Sequence, residues 1–439
     1  MWDSTKKHIQ GSIRHRLTVV AALAVVVLVA LPGWAPAGSI VTAKSPIVIG
    51  AVYPISEGGP PAIQEYDGFL TAVRMVNLMG GVDGRPVSID LKDVNVNNAA
   101  GAVYSLAQRD HVTAIVGSES SLVGVQAAAA SQAVHTIYLE NGAVATMLTM
   151  RGQPDVFRTV TTGQTLGRSA ADFAADTIAP RLHVAVRKLR VAVVYNDDIY
   201  GSSVANAQIA ETRKLGMNLV GVFSYFYPGV HFPRLVARLK RDRPNVVLVA
   251  SYVPDAIAFR RETVRQKLRV GAMIGTSSSF CMLQFARPLH WEAVGLFAAD
   301  KPDWTVNPKA LAQPARELRS KANGLYKARY HLDMSGPAVA GFVGGWVLLH
   351  EVLPRAQALT TSAIRKAFLS VNLPYGSEIN GAGVFFARPT APDAGQNERA
   401  VSVIWQWMRP EVAKIVSPPL FAEATARYIP LPLHISAPR

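Results

Sequence analysis

Short β-branched runs alternate with amphipathic helical segments along most of this chain. The first series of predicted strands covers 47–52, 87–91, 112–116 and 136–139, and a second series covers 189–194, 219–225, 246–250 and 272–274. Helical apolar spacing fills the segments between them. Such a rhythm is typical of parallel sheets with helices on both faces. The sequence therefore predicts an α/β protein with two doubly wound lobes and a ligand cleft between them.

The N-terminus has the organisation of a secretory signal. A basic segment, 6–16, precedes a 15-residue run, 17–31, that is apolar apart from Thr18, and the small residues 35–37 follow. A bilayer-spanning helix needs about 20 residues, so the run is short for a membrane anchor. We predict a signal peptide over 1–37 and a periplasmic or secreted protein that begins at Gly38, or at Lys44 if a second site is cut. An uncleaved anchor is the alternative.

Composition and motifs exclude several classes of function. One cysteine, Cys281, provides neither an internal disulfide framework nor a cysteine zinc site. The net charge of +15 is spread along the chain, and its densest cluster, 238–243, contains no aromatic residue, so we expect no nucleic-acid binding. No G-x-S-x-G, P-loop, H-E-x-x-H or C-x-x-C motif occurs. We therefore predict no catalytic activity, no metal and no cofactor.

Polar and aromatic residues follow several of the predicted strands. Ser120 and Ser121 open a helix, where hydroxyls and free N–H groups suit a carboxylate, although an ordinary helix cap would look the same. Gly142 lets the backbone approach a ligand, or simply forms a turn. Tyr200 and Tyr252 follow strands of the second series, where they would clamp an apolar ligand or pack in the core.

The order and spacing of several stretches resemble a known family, the periplasmic solute-binding proteins of branched-chain amino acid (Leu/Ile/Val) transport systems. The resemblance covers about 46–420. It is carried by IVIG (47–50), NLMGGVDGR (77–85), VGSESS (116–121), LTMRG (148–152), VFRT (156–159), VYNDDIYG (194–201), FPRLVARLK (232–240), PNVV (244–247) and YVPDA (252–256).

The resemblance implies a type I periplasmic-binding fold, in which three crossovers join the lobes. The predicted lobes are 46–160 plus 300–398 and 161–299 plus 399–425, with a tail at 426–439. The family's role implies a monomeric receptor that closes on a small-molecule ligand and delivers it to an ABC transporter permease in the inner membrane. A sensory protein that signals to a membrane partner is the alternative.

The resemblance also assigns roles to individual residues. Ser121, beside Ser120, matches the position that holds the ligand carboxylate, and Gly142 and Ala143 match backbone contacts near the ligand amino group. Tyr200 and Tyr252 match the aromatic residues that close from the second lobe.

Two positions depart from the family. Val144 stands where a threonine is common, and Thr276, followed by Ser277, stands where the acidic partner of the α-ammonium is usual. A buried ammonium without a counter-charge is costly. Either Glu140 or Asp255 therefore substitutes, or the ligand is an amide or an aromatic or aliphatic carboxylate.

Overall fold

The computed structural model describes residues 44–150 and 152–433. The predicted signal peptide and the end of the predicted tail lie outside these residues. The strands are β1 (Ile47–Tyr53), β2 (Val87–Asp93), β3 (Ala114–Gly117), β4 (Tyr138–Glu140), β5 (Val156–Arg158), β6 (Arg190–Asn196), β7 (Asn218–Tyr225), β8 (Val246–Ala250), β9 (Ala272–Thr276), β10 (Phe297–Asp300), β11 (Asn372–Leu373), β12 (Val384–Phe385), β13 (Val403–Arg409) and β14 (Val412–Ser417). The α-helices are α1 (Gly59–Leu78), α2 (Ala99–Tyr104), α3 (Ser121–Ala133), α4 (Met147–Met150), α5 (Gly163–Phe173), α6 (Ala179–Arg181), α7 (Ile199–Lys214), α8 (Phe232–Asp242), α9 (Val253–Arg265), α10 (Leu283–Leu289), α11 (Gln313–Tyr330), α12 (Gly336–Trp346) and α13 (Thr361–Ser370).

The first sheet is parallel throughout and has the strand order β2-β1-β3-β4-β5. Its interior strand β1 has the sequence IVIGAVY and is buried on both faces, as a strand between two helical layers must be. Helices α1, α11, α12 and α13 pack on one face, and α2 and α3 pack on the other. This half of the molecule is thus doubly wound, as the sequence predicts.

Helices α1 and α12 cross at close range because both carry glycine at the contact. A Cβ atom on Gly68 would overlap the carbonyl of Ala338, and a Cβ on Gly341 would overlap that of Glu65. Among the described residues, Gly336–Arg355, which includes α12, is the one helical stretch long and apolar enough to cross a membrane. However, 83% of its most apolar 18 residues is buried inside the protein. It is therefore a core helix of the first half.

The second sheet has the strand order β14-β13-β10-β9-β8-β6-β7. Strands β6 to β10 are parallel, with α5 and α7 on one face and α8, α9 and α10 on the other. The doubly wound α/β fold is confirmed. Strands β13 and β14 run antiparallel at one edge, a hairpin that the sequence analysis did not predict. Antiparallel neighbours need only a tight turn, so this pair lacks the strand–helix rhythm on which the strand predictions depend. The short parallel strands β5 and β10 were not predicted either.

The chain passes between the two halves at three places. It leaves the first sheet after β5, returns to that half with α11 after β10, and re-enters the second sheet at β13. The buried Arg158 joins two of these passages: its Nε donates to Gln396 Oε1 at 2.6 Å and its Nη1 to the carbonyl of Ala145 at 2.6 Å. Asn397 adds a bond from Nδ2 to the carbonyl of Thr159 at 3.1 Å.

Candidate functional site

A cavity of about 520 Å³ lies between the two sheets. Its walls are the loops that follow β1, β2, β3 and β4 on one side, and the start of α7 with the loops after β8 and β9 on the other. These loops all stand at the carboxyl ends of parallel strands, where open α/β sheets place their ligands. Of the predicted site residues, those that line the cavity are Ser120, Ser121, Gly142, Val144, Tyr200, Tyr252 and Ser277.

The loop after β3 brings the uncapped start of α3 to the cavity. Ser120 is the N-cap residue, and its side chain makes no capping hydrogen bond. The first N–H groups of a helix have no intrahelical partner, and Ser121, Leu122 and Val123 all line the cavity. Ser121 Oγ accepts a hydrogen bond from the N–H of Ala145 at 3.1 Å, which fixes this hydroxyl at the helix start. The arrangement is suited to an anionic group.

The loop after β4 is shaped by the buried carboxylate of Glu140. Glu140 Oε1 accepts hydrogen bonds from the N–H groups of Ser118, Gly142 and Ala143 at 2.6, 2.9 and 2.8 Å. Glu140 Oε2 accepts from the hydroxyl of Tyr138 at 2.8 Å. The N–H groups of Gly142 and Ala143 therefore point at Glu140, and Ala143 lies behind the cavity wall.

Gly142 has to be a glycine at this wall. A Cβ atom there would overlap the carboxyl group of Glu65, which is fully buried behind it. Burial and the nearby Glu140 raise the pKa of Glu65 well above its usual value, and Lys301 offsets only part of this effect. A neutral Glu65 thus backs the wall and contributes no charge to the cavity.

Tyr200 and Tyr252 form the aromatic wall on the side of the second sheet. Their ring centroids lie 5.2 Å apart at an interplanar angle of 53°. The Tyr200 hydroxyl lies 2.9 Å from Thr276 Oγ1 and donates to the carbonyl of Ser277. Thr276 Oγ1 also bonds to the carbonyl of Val249 at 3.2 Å, so Thr276 is a buried support for Tyr200 and does not line the cavity.

The two carboxylates that the sequence analysis offered as replacement counter-charges are both engaged elsewhere. Glu140 holds the loop after β4, as described above. Asp255 Oδ1 accepts from the N–H of Tyr252 at 2.9 Å, and Asp255 Oδ2 accepts from the hydroxyl of Tyr225 at 2.6 Å. Neither carboxylate lines the cavity. Each of them positions a loop of the site.

Glu119 is a charged cavity residue that the sequence reasoning missed. It is half-buried, lines the cavity and has a left-handed backbone conformation with φ of 67°. Its Oε1 accepts a hydrogen bond at 3.4 Å from Ser278 Oγ, which belongs to the opposite wall of the cavity, after β9. The sequence contained one indication that Glu119 belongs to the site: it lies between Ser118 and Ser120, directly after a strand and before a helix.

A buried lysine lies beside this cavity. Lys301 Nζ donates to the carbonyl of Gly142 at 3.2 Å and to Ser277 Oγ at 3.4 Å, and it is 3.9 Å from Asp300 Oδ1. Burial favours the neutral amine, but nearby acidic groups, Asp300 above all, outweigh burial and raise the pKa of Lys301. Lys301 therefore stays charged and ties both sides of the cavity together.

Residues 44–150 and 152–433 contain no group of three or more His, Cys, Asp or Glu side chains arranged to hold a metal ion. The site thus consists of an uncapped helix start, the carboxylate of Glu119 beside it, a second carboxylate, Glu57, at the exposed rim, and an aromatic wall. A cavity with these features, at the carboxyl ends of two α/β sheets, is typical of proteins that bind a small ligand in a cleft.

The chain belongs to the periplasmic binding protein family, whose family model matches residues 46–404. It is 30% identical over 393 residues to Leu/Ile/Val-binding protein homolog 7 of Brucella melitensis, an alignment that covers 88% of this chain and 93% of the relative. It is 29% identical over 370 residues to Leu/Ile/Val-binding protein homolog 8 of Brucella abortus, an alignment that covers 83% of this chain and 89% of the relative. The resemblance seen in the sequence is thereby confirmed, and the family consists of solute-binding proteins rather than enzymes.

Solved structures share the fold. An ABC transporter substrate-binding protein from Desulfitobacterium hafniense, in complex with Leu, superposes with a TM-score of 0.68 at 18% identity, over 85% of this chain and 100% of the other. The leucine-binding protein LivK from Thermotoga maritima superposes with a TM-score of 0.69 at 18% identity, over 84% of this chain and 98% of the other. At such identities the similarity shows the fold alone.

Proposed function

We propose that this protein is the extracytoplasmic solute receptor of an ABC importer and binds a small amino acid, or a related amide or carboxylate. The observation that carries the proposal is the cavity between the sheets, which offers an uncapped helix start for a carboxylate and two tyrosines for an apolar group. The Leu/Ile/Val-binding homologues among its relatives support the ligand class. The inner-membrane permease of that importer would be its partner.

The same cavity supports a mechanism of closure. We propose that the segments 46–160 plus 300–398 and 161–299 plus 399–425 act as two lobes that pivot at the passages between the sheets. Ser121 belongs to one side of the cavity, and Tyr200 and Tyr252 belong to the other. A ligand that touches both sides stabilises the closed arrangement by its differential affinity for that arrangement.

A ligand screen tests the proposal. The exported protein would be melted in the presence of amino acids, amides and aromatic acids, because a ligand specific for the folded state raises the melting temperature by mass action. Compounds that raise it should also reduce the radius of gyration in solution scattering. Tyr252→Ala should weaken both effects, since it removes half of the aromatic wall. If none of these compounds raises the melting temperature, the proposed ligand class is wrong.

Export is part of the same proposal. The basic segment, apolar run and small residues at the N-terminus support a signal peptide over 1–37 that directs the chain to the periplasm. The mature N-terminus would be Gly38, or Lys44 if the second site is used. N-terminal sequencing of the protein recovered from the periplasm checks this, and material that begins at Met1 would favour an uncleaved anchor.

A further inference from the structure

We infer that Glu119 is the counter-charge for the ligand's α-ammonium group, so that the cavity selects zwitterionic amino acids over their deaminated analogues. The inference rests on the proposed function and narrows its ligand class. It also decides between the alternatives that the sequence left open at the neutral Thr276, which were a replacement carboxylate or a ligand without an ammonium group.

The first support is the position of Glu119 relative to the helix start. The α-carboxylate and α-ammonium of an amino acid are attached to the same carbon atom, so their two sites have to be adjacent. Glu119 and Ser121 lie two residues apart in one loop, and both line the cavity. One loop therefore offers an anion site and a carboxylate at neighbouring positions.

The second support is that Glu119 has no cation of its own. Across the part of the chain that the structure describes, no lysine, arginine or histidine nitrogen lies within 4.0 Å of its carboxylate. Lys301, a nearby cation, is directed to Asp300, the carbonyl of Gly142 and Ser277 Oγ. The hydrogen bond from Ser278 orients the carboxylate without neutralising it. A half-buried carboxylate in this condition is stabilised by an incoming ammonium.

The third support comes from the charges around Glu119. Burial raises the pKa of its carboxyl group to about 7; Lys301 lowers the pKa, and Glu140 and Asp300 raise it. An arriving ammonium lowers this pKa and favours the ionised form. A deaminated acid brings only negative charge to the same place, so Glu119 selects against it as well as for the amino acid.

Matched ligand pairs test the inference. Dissociation constants of leucine and 4-methylpentanoate, and of phenylalanine and 3-phenylpropanoate, would be measured by calorimetry at pH 8, where Glu119 is ionised. For at least one pair, the wild type should bind the amino acid at least about tenfold more tightly, the usual loss when a charged hydrogen bond is removed. Glu119→Gln should reduce that preference to within about twofold while the deaminated acid keeps or gains affinity.

Glu57→Gln is the matched control, because Glu57 is a carboxylate at the exposed rim of the same cavity and is bonded to Asn95 Nδ2 at 2.9 Å. It should leave the preference unchanged. Equal binding of both members of a pair by the wild type, or a preference that survives in Glu119→Gln, would overturn the inference and leave the proposed function intact. Failure of every compound to bind would instead overturn the proposed function, and this inference with it.

Discussion

Glutamates around the cavity differ in role because their neighbours differ. Glu140 is saturated by backbone N–H groups and by the Tyr138 hydroxyl, so it organises a loop. Glu65 is enclosed between α1, α12 and Gly142, where burial favours its neutral form. Glu119 reaches the cavity and has only a serine hydroxyl as its side-chain partner. At the scale of the residue, the surroundings decide which carboxylate meets a ligand.

Ser121 gives a prediction at this scale. Its hydroxyl and N–H stand at the uncapped start of α3, so Ser121→Ala removes one hydrogen bond to a ligand carboxylate. The affinity should fall by about 1–3 kcal/mol, the usual range for a bond to a charged group. Calorimetry with a ligand from the melting screen measures this loss, and Ser105→Ala, distant from the cavity, is the control. An unchanged dissociation constant in a folded Ser121→Ala variant would contradict the assignment of an anion site to the start of α3.

At the scale of the element, the contact between α1 and α12 holds the first half together and backs the cavity wall. Glycine at Gly68 and Gly341 lets the two backbones approach more closely than any side chain allows. Glu65 lies on α1 at this crossing, and its carboxyl group reaches the back of Gly142. A shift of α1 against α12 would therefore move the wall that Gly142 forms.

Gly341→Ala tests this contact. The added methyl group overlaps the carbonyl of Glu65 and forces the helices apart, so the free energy of unfolding should fall by about 1–3 kcal/mol, as for other overpacked cores. Gly324→Ala on α11 is the matched control, because its Cβ meets no atom within 4 Å, and it should be neutral or stabilising. Denaturant unfolding measures both changes. Equal stability of Gly341→Ala and the wild type would contradict the close crossing.

At the scale of the whole molecule, buried acids link stability to pH. Burial raises the pKa of Asp303 to about 7 and that of Glu378 to about 8; hydrogen bonds from Thr305 partly offset the shift at Asp303, and Glu351 adds to that at Glu378. These acids bind protons more tightly in the folded than in the unfolded chain. The stabilisation that results is complete below about pH 4, where the pKa values of these acids lie in the unfolded chain. It is lost as the pH rises through the folded-state pKa values of about 7 to 8.

The ligand-free protein should therefore melt at a lower temperature at pH 8.5 than at pH 5.5. Glu378→Gln should reduce this difference, because it removes the acid with the highest of these pKa values. Glu317→Gln, on the exposed side of α11, should leave the difference unchanged. Scanning calorimetry across this pH range measures the effect. A melting temperature that is constant or rises with pH would contradict the assignment of neutral buried acids.

The sequence alone determined the alternating layers and the loops that carry the site. Strand and helix periodicity depends on neighbours a few residues apart, so runs such as 47–52 and 246–250 indicated buried parallel strands correctly. The β13–β14 hairpin escaped prediction because it lacks a crossover helix. Ser121, Tyr200 and Tyr252 were found because each stands just after a strand, at an edge that all parallel strands share.

Which of the acidic residues near the helix start faces the cavity could not be predicted from the sequence. Glu140 ends β4, Asp255 lies in the first turn of α9 and Glu119 lies in the loop after β3, and the sequence offered the first two as possible replacements for the acid missing at Thr276. The fold directs Glu140 to three N–H groups and Asp255 to Tyr225 and Tyr252, which leaves Glu119 in the cavity. The reason is physical: a carboxylate's partners come from segments distant in the chain, and only folding brings those segments together.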